Sequence, residues 1–216
     1  AEEITYTTIE VPKGQRICMT LEDGTEAWLS PRSVLRIPNN FNEKNRFVEL
    51  NGEGYFAVVK NEKKPFIVQT SQHNVKVLGT RFNVFAYSES NRFETDLLEG
   101  KVEISGHDSE KHLILAPGEK VSLENNLLVK SASSFNNDEY LKNGIFNFSN
   151  KPFSEILEYL TLWYDIRFDI EALAKKDLLV SGKFRQSDEV KNILKALQGV
   201  HSFKFKVIND QTIEIF

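Results

Sequence analysis

From Val11 to about Lys130, apolar and polar residues alternate in short runs broken by turn-forming clusters. That spacing is typical of an all-β domain. It predicts strands at Arg16–Leu21, Thr25–Leu29, Arg46–Leu50, Gly54–Val59, Phe66–Thr70, Val75–Tyr87, Phe93–Leu98, Lys101–Ser105, Leu113–Leu115, Lys120–Leu123 and Leu127–Lys130. The longest, V-K-V-L-G-T-R-F-N-V-F-A-Y, keeps a period of two that slips once, at Leu78-Gly79-Thr80. A glycine at such a slip marks a bulge, so one bent strand is expected there. Between the first two strands, Asp23-Gly24 suits a two-residue type I′ turn. A two-residue loop places Met19 opposite Trp28 and Cys18 opposite Leu29, with apolar residues on both faces. No helical period fits between Val11 and Lys130.

At Ser131–Asp138 the composition turns small and polar, the signature of a linker. Beyond it the period becomes 3.6. Phe153, Ile156, Leu157, Leu160, Trp163 and Tyr164 line one face of a helix that Asn150 could cap. A second helix, from about Ser187, carries Val190, Ile193, Leu194 and Leu197 and stops at Gly199. An offset of 37 lays Phe153, Ile156, Leu157, Leu160, Trp163, Ile166, Phe168 and Ile170 on Val190, Ile193, Leu194, Leu197, Val200, Phe203, Phe205 and Val207. All eight pairs are apolar, so the tail reads as a repeated β-α-β unit with Thr212–Phe216 as an added strand. The expected organisation is an all-β domain over 1–130, solenoid- or sandwich-like with antiparallel strands, a linker over 131–143, and a small α/β domain of two β-α-β units over 144–216.

Composition narrows the function. A net charge of −4 argues against nucleic-acid binding, which needs a clustered basic surplus. No apolar run reaches membrane-spanning length, and the first residues lack a signal-peptide pattern. Cys18 is the sole cysteine, and free cysteine usually behaves as a small buried hydrophobe, so it is expected in the core. His107 and His112, with Asp108 and Glu110 between them, follow no standard ligand spacing and read as a solvated loop. Glu94, Asp96 and Glu99 could support acid/base work, but residues alternating along a strand also describe a solvated face. Gly52-Glu53-Gly54 is followed by no helix and reads as a tight bend rather than a phosphate loop. Trp28 and Trp163 would need to be exposed on one face for a carbohydrate-binding β module, the alternative class; buried aromatics are the commoner case. Neither a catalytic constellation nor a cofactor or metal site is expected.

The apolar members of the tail's strands, Phe168, Phe184, Phe205 and Ile213, are expected to face the helices. Arg167, Asp169, Lys183, Arg185, Lys204, Lys206, Thr212 and Glu214 then share the opposite face, five basic against two acidic. Solubility of an open sheet explains such a face. A partner-binding surface explains it equally well.

V-P-K-G-Q-R (11–16), L-E-D-G-T-E-A-W-L (21–29), the 46–56 run, Pro65–Val68, V-L-G-T-R-F-N-V (77–84), L-E-G-K-V (98–102) and L-A-P-G-E (115–119) together resemble FecR-type anti-sigma factors. Residues 144–216 resemble the C-terminal domain of Bacteroidetes-type members, itself similar to the short signalling domain of secretins and TonB-dependent receptors. The resemblance implies a non-enzymatic periplasmic sensor, anchored to the inner membrane through a transmembrane helix outside these residues. Its implied partners are the signalling domain of an outer-membrane TonB-dependent receptor and, through a cytoplasmic part also outside these residues, an extracytoplasmic-function sigma factor that controls transcription. A cell-envelope assembly protein built from secretin-like domains is a further alternative.

Overall fold

The computed structural model describes residues 3–43, 46–90, 92–107, 112–133, 144–170, 178–199 and 202–216. The chain divides into two compact units, Ala1–Ser133 and Ser134–Phe216.

The first unit is built on one long strand, β5 (Arg46–Ala57). Its first half pairs antiparallel with β4 (Val34–Pro38) and parallel with β6 (Phe66–Gln69). Its second half pairs antiparallel with β3 (Glu26–Leu29) and β8 (Arg81–Ala86). The change of partners falls at Gly52, whose φ of +132° only glycine adopts readily. A Cβ there would lie 2.4 Å from Ser33 Oγ. Ser33 Oγ in turn accepts from the Glu53 amide at 2.9 Å and donates to the Glu53 carbonyl at 3.0 Å, clamping the bend.

From β5 the sheet spreads two ways. One half runs β1 (Tyr6–Glu10), β4, β5, β6, β7 (His73–Val77), β10 (Val102–Gly106), β11 (His112–Leu115). The other runs β2 (Ile17–Thr20), β3, β5, β8, β9 (Glu94–Glu99), β12 (Glu119–Glu124), β13 (Leu127–Ala132). Both halves of this 13-stranded sheet enclose one core, with Val48, Phe66, Val75 and Ile104 from the first against Leu29, Phe56, Phe82 and Leu97 from the second. The arrangement is the expected all-β, sandwich-like one, antiparallel except at β5–β6.

Several local expectations are corrected. Residues 46–57 form one strand, and Gly52-Glu53-Gly54 lies within it rather than at a break. Val75–Tyr87 is two strands, because the chain crosses from one half to the other at Leu78–Thr80. Gly79 stands there because a Cβ would come within 2.5 Å of Lys60 Cα. The first hairpin has a three-residue loop: Leu21 and Thr25 pair, with Leu21 N donating to Thr25 O at 2.8 Å, and Cys18 stands opposite Trp28 and Met19 opposite Ala27. The cause is local, since Asp23 accepts from both the Thr25 amide and hydroxyl and Gly24 takes a φ of +83°. Cys18 is consequently exposed, not in the core. Strands β1 and β4 fall outside the predicted set. β13 runs through Ala132, two residues into the segment read as linker, and 134–143 lie outside the described residues.

The second unit holds two sheets and two helices. β14 (Ile145–Pro152) pairs antiparallel with β16 (Leu179–Arg185). β15 (Arg167–Ile170), β18 (Thr212–Ile215) and β17 (Phe205–Asn209) form the other sheet in that order, β15–β18 parallel and β17–β18 antiparallel. Helix α1 (Phe153–Tyr164) links β14 to β15, and α2 (Val190–Gln198) lies between β16 and β17. Two β-α-β units and a final strand are thus present, with helix starts 37 residues apart as the apolar repeat requires. α1 buries Phe153, Ile156, Leu157, Leu160 and Trp163, and α2 buries Ile193, Leu194 and Leu197. The Phe153 and Phe203 rings meet at 4.8 Å, one from each repeat. Asn150 does not cap α1. It sits in β14 with a φ of +53°, and its amide donates to Ser181 Oγ at 2.8 Å.

Candidate interaction site

The polar strand positions of the second unit divide between its two sheets. Lys183 and Arg185 lie on β16, exposed on either side of buried Phe184. The remaining positions meet on the three-stranded sheet. Register places Arg167 beside Thr212, Asp169 beside Glu214, and Lys206 across from Glu214. Lys204 just precedes β17 and exchanges backbone hydrogen bonds with Phe216 at 2.7 and 3.0 Å. Parity holds on this sheet: Arg167, Asp169, Lys204 and Lys206 are exposed, Thr212 and Glu214 half-buried, and Ile213 and Ile215 buried. Arg167 Nε and Nη2 donate to Asp169 at 2.9 and 3.0 Å, and this bonding raises the guanidinium pKa further. The basic character of the sheet therefore concentrates on Lys204 and Lys206, with Glu214 beside them.

Tyr164 carries more than the apolar helix face suggested. Its hydroxyl donates to Asp188 O at 2.6 Å, with Arg185 O and Gln186 O at 3.3 Å, and so ties α1 to the turn between β16 and α2. Burial first, then the charge of Asp188, pushes the phenol up to about 12.

The other candidates have structural partners. Glu94 and Asp96, expected on a solvated face, are buried: Lys120 reaches Glu94 at 3.2 Å, and Ser133 Oγ donates to Asp96 at 2.5 Å. Glu99 is exposed beside Arg81 at 3.5 Å. His107 Nε2 lies 3.0 Å from Thr70 O, and His112 Nδ1 lies 3.0 Å from Glu103. Residues 108–111 between them lie outside the described residues, among which no group of three or more His, Cys, Asp or Glu is placed to hold a metal. Burial, then the nearby His107, lowers the pKa of His73. Trp163 is buried; Trp28 is half-buried against Tyr55, ring centroids 5.3 Å apart. Those two rings do not form an exposed aromatic face.

The sequence matches the FecR protein family over residues 7–103 and the FecR C-terminal family over residues 145–215. The chain belongs to the FecR family. The first match runs from β1 into β10, and the second runs from the first residue of β14 to the last of β18. Two crystal structures of a candidate anti-sigma factor from Parabacteroides distasonis ATCC 8503, at 1.65 and 2.50 Å, each align with a TM-score of 0.87 and 29% identity. The first alignment covers 97% of this FecR-family chain and 98% of the other, the second 98% and 99%. No curated protein matches the chain. No helix among the described residues is long and apolar enough to cross a membrane.

Proposed function

We propose that this chain is the periplasmic sensor part of a transmembrane anti-sigma factor, relaying the state of an outer-membrane TonB-dependent receptor to an extracytoplasmic-function sigma factor by protein–protein contact. The observation that carries the reading is the pairing of FecR and FecR C-terminal regions along one chain, together with the match to the candidate anti-sigma factor over nearly the whole of both chains. The receptor's signalling domain docks on the second unit, on the three-stranded sheet or at its edge, where main-chain bonds give affinity and charge sets orientation. Lys204 and Lys206 steer the approach. Arg167, Thr212 and Glu214 frame the same sheet, and Lys183 and Arg185 extend the charge onto β16. The sigma factor is held by a cytoplasmic part outside these residues, and the role requires no enzymatic step.

Charge reversal tests this. Lys204→Glu with Lys206→Glu is expected to slow association with the receptor signalling domain several-fold at low salt and to flatten its salt dependence, because exposed rim charges act mainly on the on-rate. Unchanged association kinetics would place the contact elsewhere. Failure of any receptor signalling domain to bind the wild-type chain would overturn the reading itself.

A further inference from the structure

On the outer face of the first unit, where the chain crosses between sheet halves, lies an open groove of about 560 Å³. Pro65, Gly79 and Leu78, 41% exposed, supply its apolar surface, and Lys60, Lys76 and Lys101 stand around it. Three segments meet at backbone distance here. Val58 N donates to Thr80 O at 2.9 Å, Asn61 N to Leu78 O at 2.6 Å, and Thr80 Oγ1 to Lys101 O at 3.0 Å. Two glycines permit the crossing: a Cβ on Gly79 would strike Lys60, and one on Gly100 would lie 2.8 Å from Gly79 O.

The wall of the groove, K-N-E-K-K-P (60–65), is fixed from beneath. Arg46, 1% exposed, donates Nη1 to Val59 O at 2.7 Å and Nε to Lys64 O at 2.9 Å while pairing with Asp23 at 2.9 Å. Asn61 Oδ1 also accepts from the amides of Lys63 and Lys64 at 3.1 Å. Burying a guanidinium costs several kcal/mol before its partners repay it. Here that cost holds a lysine-bearing surface loop at both ends, so the loop itself loses little freedom when a ligand binds.

Charge points to the ligand. Lys60 is engaged by Glu62 at 3.1 Å and Lys76 by Glu103 at 3.6 Å. Lys101 has no carboxylate partner among the described residues, in a chain whose net charge is −4. Lysines from three separate segments stand around the exposed apolar surface of Leu78 and Pro65, a setting that suits an extended chain segment carrying one aliphatic and one acidic side chain. We propose that this groove seats an extended peptide segment of a partner protein, with an aliphatic side chain resting on Leu78 and Pro65 and an adjacent acidic residue facing Lys101. This site is independent of the receptor reading, which concerns the second unit.

The test titrates the isotope-labelled full chain with the peptide acetyl-Gly-Asp-Leu-Asp-Gly-amide, its Asn-Leu-Asn counterpart, and phosphatidylglycerol vesicles. Saturable shifts of the amides at 60–64, 76–80 and 100–103 are expected with the acidic peptide, and affinity roughly tenfold weaker with the neutral one. Lys101→Glu and Leu78→Ser should each weaken binding by a similar factor, with amides away from the groove unmoved. Both sites are on the surface, so the fold stays intact. Absence of saturable shifts in these segments, equal binding of the two peptides, or binding to vesicles with the peptide inert would each overturn the proposal.

Discussion

Arg46 and Asp23 form a buried ion pair, at side-chain exposures of 1% and 5%. Removing one partner strands the other charge in the interior. Arg46→Ala is therefore expected to cost the first unit roughly 3–5 kcal/mol in urea unfolding. The double change Arg46→Met with Asp23→Asn should cost clearly less, since no lone charge remains. A loss under about 1 kcal/mol for the single variant would show that solvent reaches the pair. Tyr164 gives a second residue-scale prediction. Its pKa is raised on folding, so its contribution is fully present below the ordinary phenol value of 10 and is lost as pH climbs through about 12. Tyr164→Phe should remove that alkaline step and cost about 1 kcal/mol at neutral pH through the lost hydrogen bond to Asp188. The dependence of the urea midpoint on pH reads both effects.

Two glycines show what strands do and do not disclose. Gly52 and Gly79 each interrupt an alternating apolar run, and nothing in the neighbouring residues tells their roles apart. Gly52 bends a continuous strand and Gly79 ends one. The difference is made by residues distant in sequence, Ser33 against the first and Lys60 against the second, so neither outcome could be read locally. The three-residue hairpin loop is another such case, decided by the Asp23 to Thr25 hydrogen bonds over the usual preference of Asp-Gly. By contrast, helix α2 ends where Gly199 predicted, and both helices bury the apolar stripe that their period announced. Side-chain parity is legible within β15, β16, β17 and β18 but strand pairing is not, so periodicity alone groups Lys183 and Arg185 with residues of another sheet. The glycines also give a prediction. Gly52→Ala should lower stability by more than roughly 1–3 kcal/mol, because strain at φ +132° is added to the collision with Ser33. Gly118→Ala, at φ +80° with open space around it, should cost only about 1–2 kcal/mol. Equal losses in thermal unfolding would contradict this account.

At the scale of the whole molecule, the two units suggest a simple test. Limited proteolysis is expected to cut first between Ser133 and Asn143, where the sequence is small and polar and the contacts divide. Mass spectrometry of the first fragments checks it, and a first cut within β7 or β8 would contradict the division. The shared strand β5 bears on how the first unit comes into being. Its partners extend from Glu26 to Ala86 along the chain, and neither sheet half is complete without it. Contacts so distant in sequence must close their loops before burial rewards them, which makes folding slow and late. A nascent chain halted before Arg81 would have its spine in hand with only β2 and β3 of the second half beside it. Truncations at that point should remain open to protease, and one that also includes β8 to β13 should become resistant as a single step.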